Sequence, residues 1–212
     1  MKIMNQFKKY SIYCVLMASV LFTGCKKDDD VAPDEENEEE VITDVKLIFT
    51  NNADANDVVE ARAKDPDGAG IEELVVLDQI NLDNNKTYTL TMEIMNNLTI
   101  PGEDIGEEVE EEGHEHRFYF GFTNGAFSNP TGNGNIDNSF QPVVYNDKDI
   151  NGLPIGLSTT WTTSNSALSG GNFIVRLQHQ PDLKTPTSGA FDGETDINLI
   201  FPLKITEVII RK

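Results

Sequence analysis

The chain is poor in cysteine and in positive charge. Its two cysteines, Cys14 and Cys25, both lie within the first 25 residues, so the rest of the chain has neither a disulfide nor a thiolate metal ligand. Sixteen lysines and arginines stand against 36 acidic residues, for a net charge of −20. Charge of that sign repels nucleic acid and anionic lipid surfaces and attracts cations. The sequence also lacks the nucleophile elbow G-x-S-x-G and any other known catalytic motif, so it predicts a protein that is not an enzyme.

The N-terminal segment contains an apolar run that is too short to cross a bilayer. Residues 10–24 read YSIYCVLMASVLFTG and follow a start with three lysines, whereas a transmembrane helix needs about 20 apolar residues. The segment therefore predicts a signal peptide over residues 1–24. Its end, LFTGC, resembles the lipobox of bacterial lipoproteins. That resemblance implies cleavage before Cys25 and acylation of Cys25, which anchors the chain in a membrane; an ordinary cleaved signal or a membrane-spanning anchor is the alternative.

The stretch after Cys25 is strongly acidic and has almost no apolar side chains. Residues 26–40 read KKDDDVAPDEENEEE, a composition that cannot bury enough surface to fold. Residues 25–40 are therefore predicted to form the lipidated cysteine and a disordered tether. The sequence CKKDDD also resembles the export signal of Bacteroidetes surface lipoproteins. This implies an outer-membrane lipoprotein whose domain is exposed on the cell surface, with a periplasm-facing lipoprotein as the alternative.

Residues 41–212 alternate apolar and polar side chains with a period of two. In KTYTLTMEIMN, Tyr88, Leu90 and Met92 face one way and the intervening threonines face the other, as in a half-buried β-strand. About nine such runs, separated by turns rich in Gly, Asn, Asp and Pro, predict an all-β domain, an antiparallel β-sandwich of Ig-like architecture. The glutamate-rich stretch 103–113 predicts at most one short acidic surface helix or loop.

Four segments in the second part of the chain resemble those of a known family. They are KTYTLTMEIMNNLTIPGEDIGEEVEEEGHEHRFYF, GLPIGLSTTWTT, FIVRLQHQPDLK and GETDINLIFPLKI, in that order. In these segments the chain resembles Bacteroidetes lipoproteins of unestablished function, often named type 1 periplasmic binding fold superfamily proteins. That name implies an α/β fold, but the chain has no series of amphipathic helices, so we keep the all-β prediction. The family pattern combines an acidic stretch, a Glu-His pair before an aromatic strand and the histidine of L-x-H-x-P, which correspond here to Glu115, His116 and His179.

The chain has three histidines, and two of them are predicted to face the core. His116 shares a strand face with Phe118, and His179 shares one with Leu177. If the two strands are antiparallel neighbours, both histidines lie at the same end of the domain, beneath the acidic run. This predicts a divalent metal site, with zinc as the ion that suits it best. The candidate ligands are His116, His179, His114, Glu111, Glu112 and Glu115. The alternative is a solvated HEH loop, with His179 as a rim histidine bonded to the backbone.

Three functions are compatible with these features. The first is a non-catalytic surface lipoprotein that binds a divalent transition metal, or a metal-containing nutrient, for an outer-membrane transporter. The second is a structural or adhesive cell-surface module without a metal site. The third is a carbohydrate-binding lipoprotein that uses Trp161 with Tyr119 and Tyr145. In each of them the predicted partner is the membrane, through the lipid on Cys25, and nucleic acid is not a partner.

Overall fold

The computed structural model of the protein describes residues 40–65, 67 and 73–208. The predicted signal peptide (residues 1–24), the lipidation site Cys25 and the tether as far as residue 39 lie outside the described residues. Within the described ranges, no helix combines the length and the apolar character needed to cross a bilayer.

Strands make up most of the regular structure of the described residues, and a single short helix stands among them. The strands before the helix are β1 (Asp44–Asn51), β2 (Asp54–Lys64), β3 (Val75–Val76), β4 (Ile80–Asp83), β5 (Thr87–Asn96) and β6 (Glu103–Asp104). The helix is α1 (Ile105–Glu111). It is followed by β7 (His116–Phe122), β8 (Phe127–Asn129), β9 (Val144–Tyr145), β10 (Ser158–Thr163), β11 (Leu168–His179) and β12 (Glu194–Thr206). The prediction of a mostly β domain with one short acidic helix is confirmed.

The strands form two sheets. In the larger sheet the order is β3-β2-β1-β5-β10-β8, with β6 beside β5 and β9 beside β10, and all these pairs are antiparallel. The order of the smaller sheet is β4-β12-β11-β7, and here β4 runs parallel to β12. The prediction of a purely antiparallel fold is therefore wrong for β4 and β12. Their pairing joins Ile80 to Leu203, which are far apart in the sequence, so no local pattern of residues indicates its direction. The Ig-like arrangement of the strands stays a prediction.

The two sheets face each other across one apolar core. Phe49 on β1 meets Phe173 on β11 with ring centroids 5.6 Å apart, and Trp161 on β10 lies 4.9 Å from the same Phe173. Trp161 is fully buried, and its indole N–H donates to Thr159 Oγ1 over 2.7 Å. Truncating one such aromatic side chain to alanine would cost about 3–5 kcal/mol. Trp161 therefore packs in the core and does not present its ring to a sugar.

Helix α1 brings the chain to the start of β7. Asp104 caps the helix by accepting from the backbone N–H of Glu107 over 3.3 Å, and acidic residues in the first turn suit the positive end of the helix dipole. Ile105 and Val109 are buried, so the helix packs on the domain through a narrow apolar stripe and leaves most of its glutamates exposed. This packing fixes the position of the loop that precedes His116.

A bulge interrupts the pairing of β11 with β12. Leu177 pairs with Ile197 and Gln178 pairs with Thr195, so Asp196 is an extra residue on β12. Such an insertion breaks the strict alternation of side chains and can turn a residue toward the other face of a sheet. The bulge lies close to the ends of β7 and β11 where the two predicted histidines are found.

Candidate metal centre

His116 begins β7 and His179 ends β11, and the two residues are register partners in this antiparallel pair. Their imidazole rings stack, with centroids 4.7 Å apart and planes inclined by 13°. The prediction that both histidines reach the same end of the domain is therefore confirmed. The side chain of His116 is fully buried, so it lies at the inner side of the stack.

The two ring nitrogens of His116 have different neighbours. Nδ1 lies 3.3 Å from the carbonyl oxygen of Glu112, and because a carbonyl only accepts hydrogen bonds, Nδ1 carries the hydrogen. Nε2 lies 2.8 Å from Oε1 of Glu40. A backbone carbonyl that holds one ring nitrogen of a histidine leaves the other nitrogen in a fixed orientation, which is the usual arrangement of metal-binding histidines.

Glu40, His116 and Asp196 form a compact cluster, which we call the inner group. One nitrogen or oxygen atom of each residue lies within 4.8 Å of the other two, and no other trio of His, Cys, Asp or Glu within the described residues meets this condition. Oε1 of Glu40 and Nε2 of His116 are buried and lie 2.8 Å apart, so they form an ion pair when His116 is protonated. A metal ion bound between these two atoms would take the place of the proton that they share.

The inner group has a strongly negative environment. Burial opposes the charged form of His116, but the contact with Glu40 and the charge of Asp196 outweigh it, so the pKa of His116 is raised above its ordinary value. On α1, burial and the neighbouring carboxylates of Glu40 and Glu112 raise the pKa of Glu108. The same field that holds a proton on His116 would stabilise a metal cation in its place.

A buried lysine anchors the backbone on either side of Glu115. The ammonium of Lys184 lies 2.9 Å from Asp149 Oδ2, and both side chains are 1% exposed. Lys184 also donates hydrogen bonds to the carbonyl oxygens of Gly113 and His116. Burial lowers the pKa of Lys184 even though Asp149 opposes the shift. Lys184 therefore fixes the backbone of the loop that carries the predicted ligands.

The other predicted ligands lie outside the inner group. Glu115 lies between the two remaining histidines: Oε1 is 3.3 Å from Nε2 of His114, and Oε2 is 3.5 Å from Nε2 of His179. We call these three residues the outer group. Glu111 is exposed on α1, and Glu112 offers its backbone carbonyl, not its carboxylate, to the buried histidine. Of the residues predicted as ligands, only His116 belongs to the inner group.

Sequence reasoning missed Glu40 and Asp196. Glu40 ends an acidic run with the composition of a linker, yet its side chain is only 4% exposed and it belongs to the same compact unit as the sheets. The predicted tether 25–40 thus overlaps the folded unit at its last residue. Asp196 stands next to the core residue Ile197, and strict alternation places it on the opposite face. Only the bulge, which the sequence does not reveal, brings it to the histidine.

One imidazole nitrogen and two carboxylates form a suitable donor set for a divalent transition metal. Zinc binds histidine nitrogen and carboxylate oxygen at about 2.0–2.2 Å, so two ligand atoms of a tetrahedral site lie about 3.4 Å apart. The Glu40 and His116 donor atoms, now 2.8 Å apart, would separate slightly around such an ion. Three protein ligands leave a fourth position for water or another ligand, and the set requires no thiolate.

Comparison of the chain with protein-family models gives no match, and comparisons with curated proteins and with solved structures give none either. The family resemblance of the sequence and the lipidation of Cys25 stay predictions. Function is therefore inferred from the geometry of the inner group and from the features of the sequence.

Proposed function

We propose that the protein is a non-catalytic, lipid-anchored surface protein of the outer membrane that binds a divalent transition metal, or a metal-containing nutrient, and passes it to a transporter. An Ig-like β-sandwich is the proposed carrier of the site. The observation that carries the proposal is the buried convergence of Glu40, His116 and Asp196 at one end of the two facing sheets.

The energetics of burial support a binding role for the inner group. Removing a charged group from water costs several kcal/mol, and apolar side chains of similar volume often replace a buried ion pair without loss of stability. Apolar packing was available at this end of the core, where Phe118 follows His116 on the same face of β7. A divalent cation would compensate the charge of the two carboxylates of the inner group and replace the proton between Glu40 and His116.

Zinc is the ion we propose for the site. The imidazole nitrogen of His116 disfavours calcium and magnesium, which prefer oxygen ligands. The inner group contains no sulfur ligand, and soft thiolate or thioether ligands are what select copper(I). Nitrogen with two carboxylate oxygens suits zinc, while nickel and copper(II) would also accept it.

The proposed location depends on the sequence. The lipobox-like LFTGC and the acidic cluster after Cys25 support an outer-membrane lipoprotein on the cell surface. Beyond residue 24 the chain has 13 basic and 36 acidic residues, and such a negative field concentrates cations near the domain. A protein tethered beside the membrane and able to collect a scarce cation would suit an outer-membrane transporter as a partner.

Zinc titration of the purified full-length protein tests the proposal. The protein is first stripped with a chelator, and zinc is then titrated in competition with a chromophoric chelator. Glu40→Gln keeps the size of the side chain and removes its charge. Loss of a residue that only supports a metal ligand typically weakens metal binding by about 10–100-fold, so removal of the Glu40 carboxylate is expected to weaken it by at least that factor.

Glu111→Gln is the matched control, because it makes the same chemical change at an exposed position on α1. It is expected to retain wild-type affinity. If Glu40→Gln and Glu111→Gln have the same effect, zinc binds only to a diffuse acidic surface. The inner group is then a structural ion-pair network, and the structural or adhesive module becomes the better description. Transfer to a transporter is tested separately, by growth of cells carrying Glu40→Gln under zinc limitation.

A further inference from the structure

The outer group lies beside the inner group, because the ring of His179 stacks on that of His116. Exposure of the side chains falls steadily along the two groups: 48% for His114, 26% for Glu115, 11% for His179, 4% for Glu40 and 0% for His116. These residues therefore form a graded series from solvent to the interior. Every member of the series can donate a lone pair to a metal ion.

In the outer group each histidine lies near Glu115, but one ligand atom from each of the three residues does not come within 4.8 Å of the other two, so an ion would have to draw His114 inward. The carboxylate oxygens of Glu115 lie 3.3 Å from Nε2 of His114 and 3.5 Å from Nε2 of His179. Ligand atoms around tetrahedral zinc are about 3.4 Å apart, so each of these contacts has the length of one edge of a coordination tetrahedron. His114 is half exposed, so its side chain can turn to complete the set around an ion.

Backbone hydrogen bonds fix the central residue of the outer group. The N–H of Gln180 donates to the carbonyl oxygen of Glu115 over 2.6 Å, and the N–H of Glu115 donates to the carbonyl oxygen of Glu112 over 2.8 Å. These bonds hold Glu115 between the end of α1 and the end of β11. Its position beside His179 is therefore set by the fold and does not depend on an unconstrained loop.

We propose that His114, Glu115 and His179 form a second divalent cation position, which captures the ion from solvent and passes it to the inner group. The imidazole of His179 is the contact between the two positions, because it is within reach of Glu115 and stacks on His116 with centroids 4.7 Å apart. The outer position is more exposed and has to be completed by movement of His114, so its ion exchanges faster than the ion in the inner one. This inference rests on the proposed function, since it supplies the access route to the buried site.

The test measures zinc stoichiometry and loading rate on the full-length protein. Glu115→Gln removes the outer carboxylate and leaves the three inner ligands intact, Glu40→Gln removes one inner ligand, and Glu107→Gln is the control on the exposed side of α1. The wild type and Glu107→Gln are expected to bind two zinc ions per chain, and Glu115→Gln one. Electrostatic capture commonly accelerates association by about tenfold or more, so stopped-flow loading of the inner site should slow by at least that factor in Glu115→Gln. His114→Ala, at a half-exposed position, should also slow loading.

The outcomes separate this inference from the proposed function. If Glu115→Gln keeps either the wild-type stoichiometry or the wild-type loading rate, the capture position is overturned. The proposed function still stands in that case if the wild type binds one zinc ion tightly and Glu40→Gln loses it. If the wild type binds no zinc, both fall. If Glu40→Gln retains one weaker, rapidly exchanging ion that Glu115→Gln lacks, both stand.

Discussion

Replacing Lys184 with methionine tests how firmly the loop around the candidate site is held. The ammonium of Lys184 lies 2.9 Å from Asp149, and both side chains are 1% exposed. Methionine has a similar length but removes the charge and the donors to the carbonyl oxygens of Gly113 and His116. Asp149 keeps the backbone N–H groups of Asn151 and Leu153, each 2.8 Å away, but loses its only charged partner among the described residues.

The expected loss is large because the carboxylate remains buried. Removing one partner of a buried ion pair costs about 3–5 kcal/mol. For a domain of this size each kcal/mol corresponds to about 2–4 °C in Tm, so the melting temperature should fall by about 6–20 °C. Despite opposing burial, the bond to Lys184 and the loop N–H groups lower the pKa of Asp149 below 3.8. The contribution of ionised Asp149 to the stability of the fold is therefore complete above the ordinary pKa of an aspartate. It is lost as the pH falls through the lowered pKa of Asp149. The deficit of Lys184→Met should accordingly shrink in acid.

Thermal and urea unfolding of chelator-treated protein measure this effect. Lys46→Met is the control, because the Lys46–Glu93 pair lies at the surface and such pairs contribute at most about 1 kcal/mol. The double variant Lys184→Met with Asp149→Asn removes both charges and should recover at least half of the loss. If Lys184→Met costs no more than Lys46→Met, or the double variant is worse than the sum of the singles, the pair is not the buried, mutually compensating unit described here.

Zinc binding should release a proton from His116, because its raised pKa favours the imidazolium and a ligand must be neutral. Calorimetry in buffers of different ionisation heat measures the released proton, and binding heats that do not depend on the buffer would contradict its release. The affinity for zinc should also fall as pH drops through the raised pKa of His116. Gly193→Ala should destabilise the domain more than Gly125→Ala. The two glycines have nearly the same φ, +84° and +83°, so the backbone strain of an alanine is matched. Only a Cβ on Gly193 would overlap a neighbouring atom, the carbonyl oxygen of His179. Equal losses in melting temperature would show that this close approach is unimportant. Cys25→Ser should leave the protein unlipidated with an unchanged domain, and protease added to whole cells should remove the wild-type domain; full protection would indicate a periplasm-facing lipoprotein.

Local patterns predicted the strands and the end of the domain where the histidines meet. The aromatic run HRFYFGF forms β7. The alternation of side chains along β7 and β11 places His116 and His179 on the same face of the sheet, where they are register partners. The glutamate-rich stretch forms only the short α1, because it has too few apolar positions for a longer helix. These features depend only on residues that are neighbours in the sequence, so they can be predicted from local patterns.

Long-range and irregular features could not be predicted in this way. The parallel pairing of β4 with β12 joins segments more than 100 residues apart, and no alternation of side chains encodes its direction. Glu40 looks like the residues before it, and only its burial distinguishes it. Regular alternation of side chains would place Asp196 on the wrong face of the sheet. The alternation fails at this point because β12 has an extra residue in a bulge. The sequence therefore identified one member of the inner group, and the two members that depend on tertiary structure remained hidden.

Charged groups hold the segment between α1 and β7 on both sides. Lys184 binds the backbone of this segment at the carbonyl oxygens of Gly113 and His116, while the side chain of the same His116 meets Glu40 and Asp196 on its other side. Each buried charge costs desolvation energy, and apolar side chains of similar volume often replace such contacts without loss of stability. Hydrogen bonds and ion pairs have directional geometry that apolar contacts lack. They can therefore fix the direction of an imidazole nitrogen, while the side chain of the neighbouring His114 stays half exposed. Directional support for buried donors beside an exposed histidine is therefore consistent with the proposed metal site, which the Glu40→Gln titration tests.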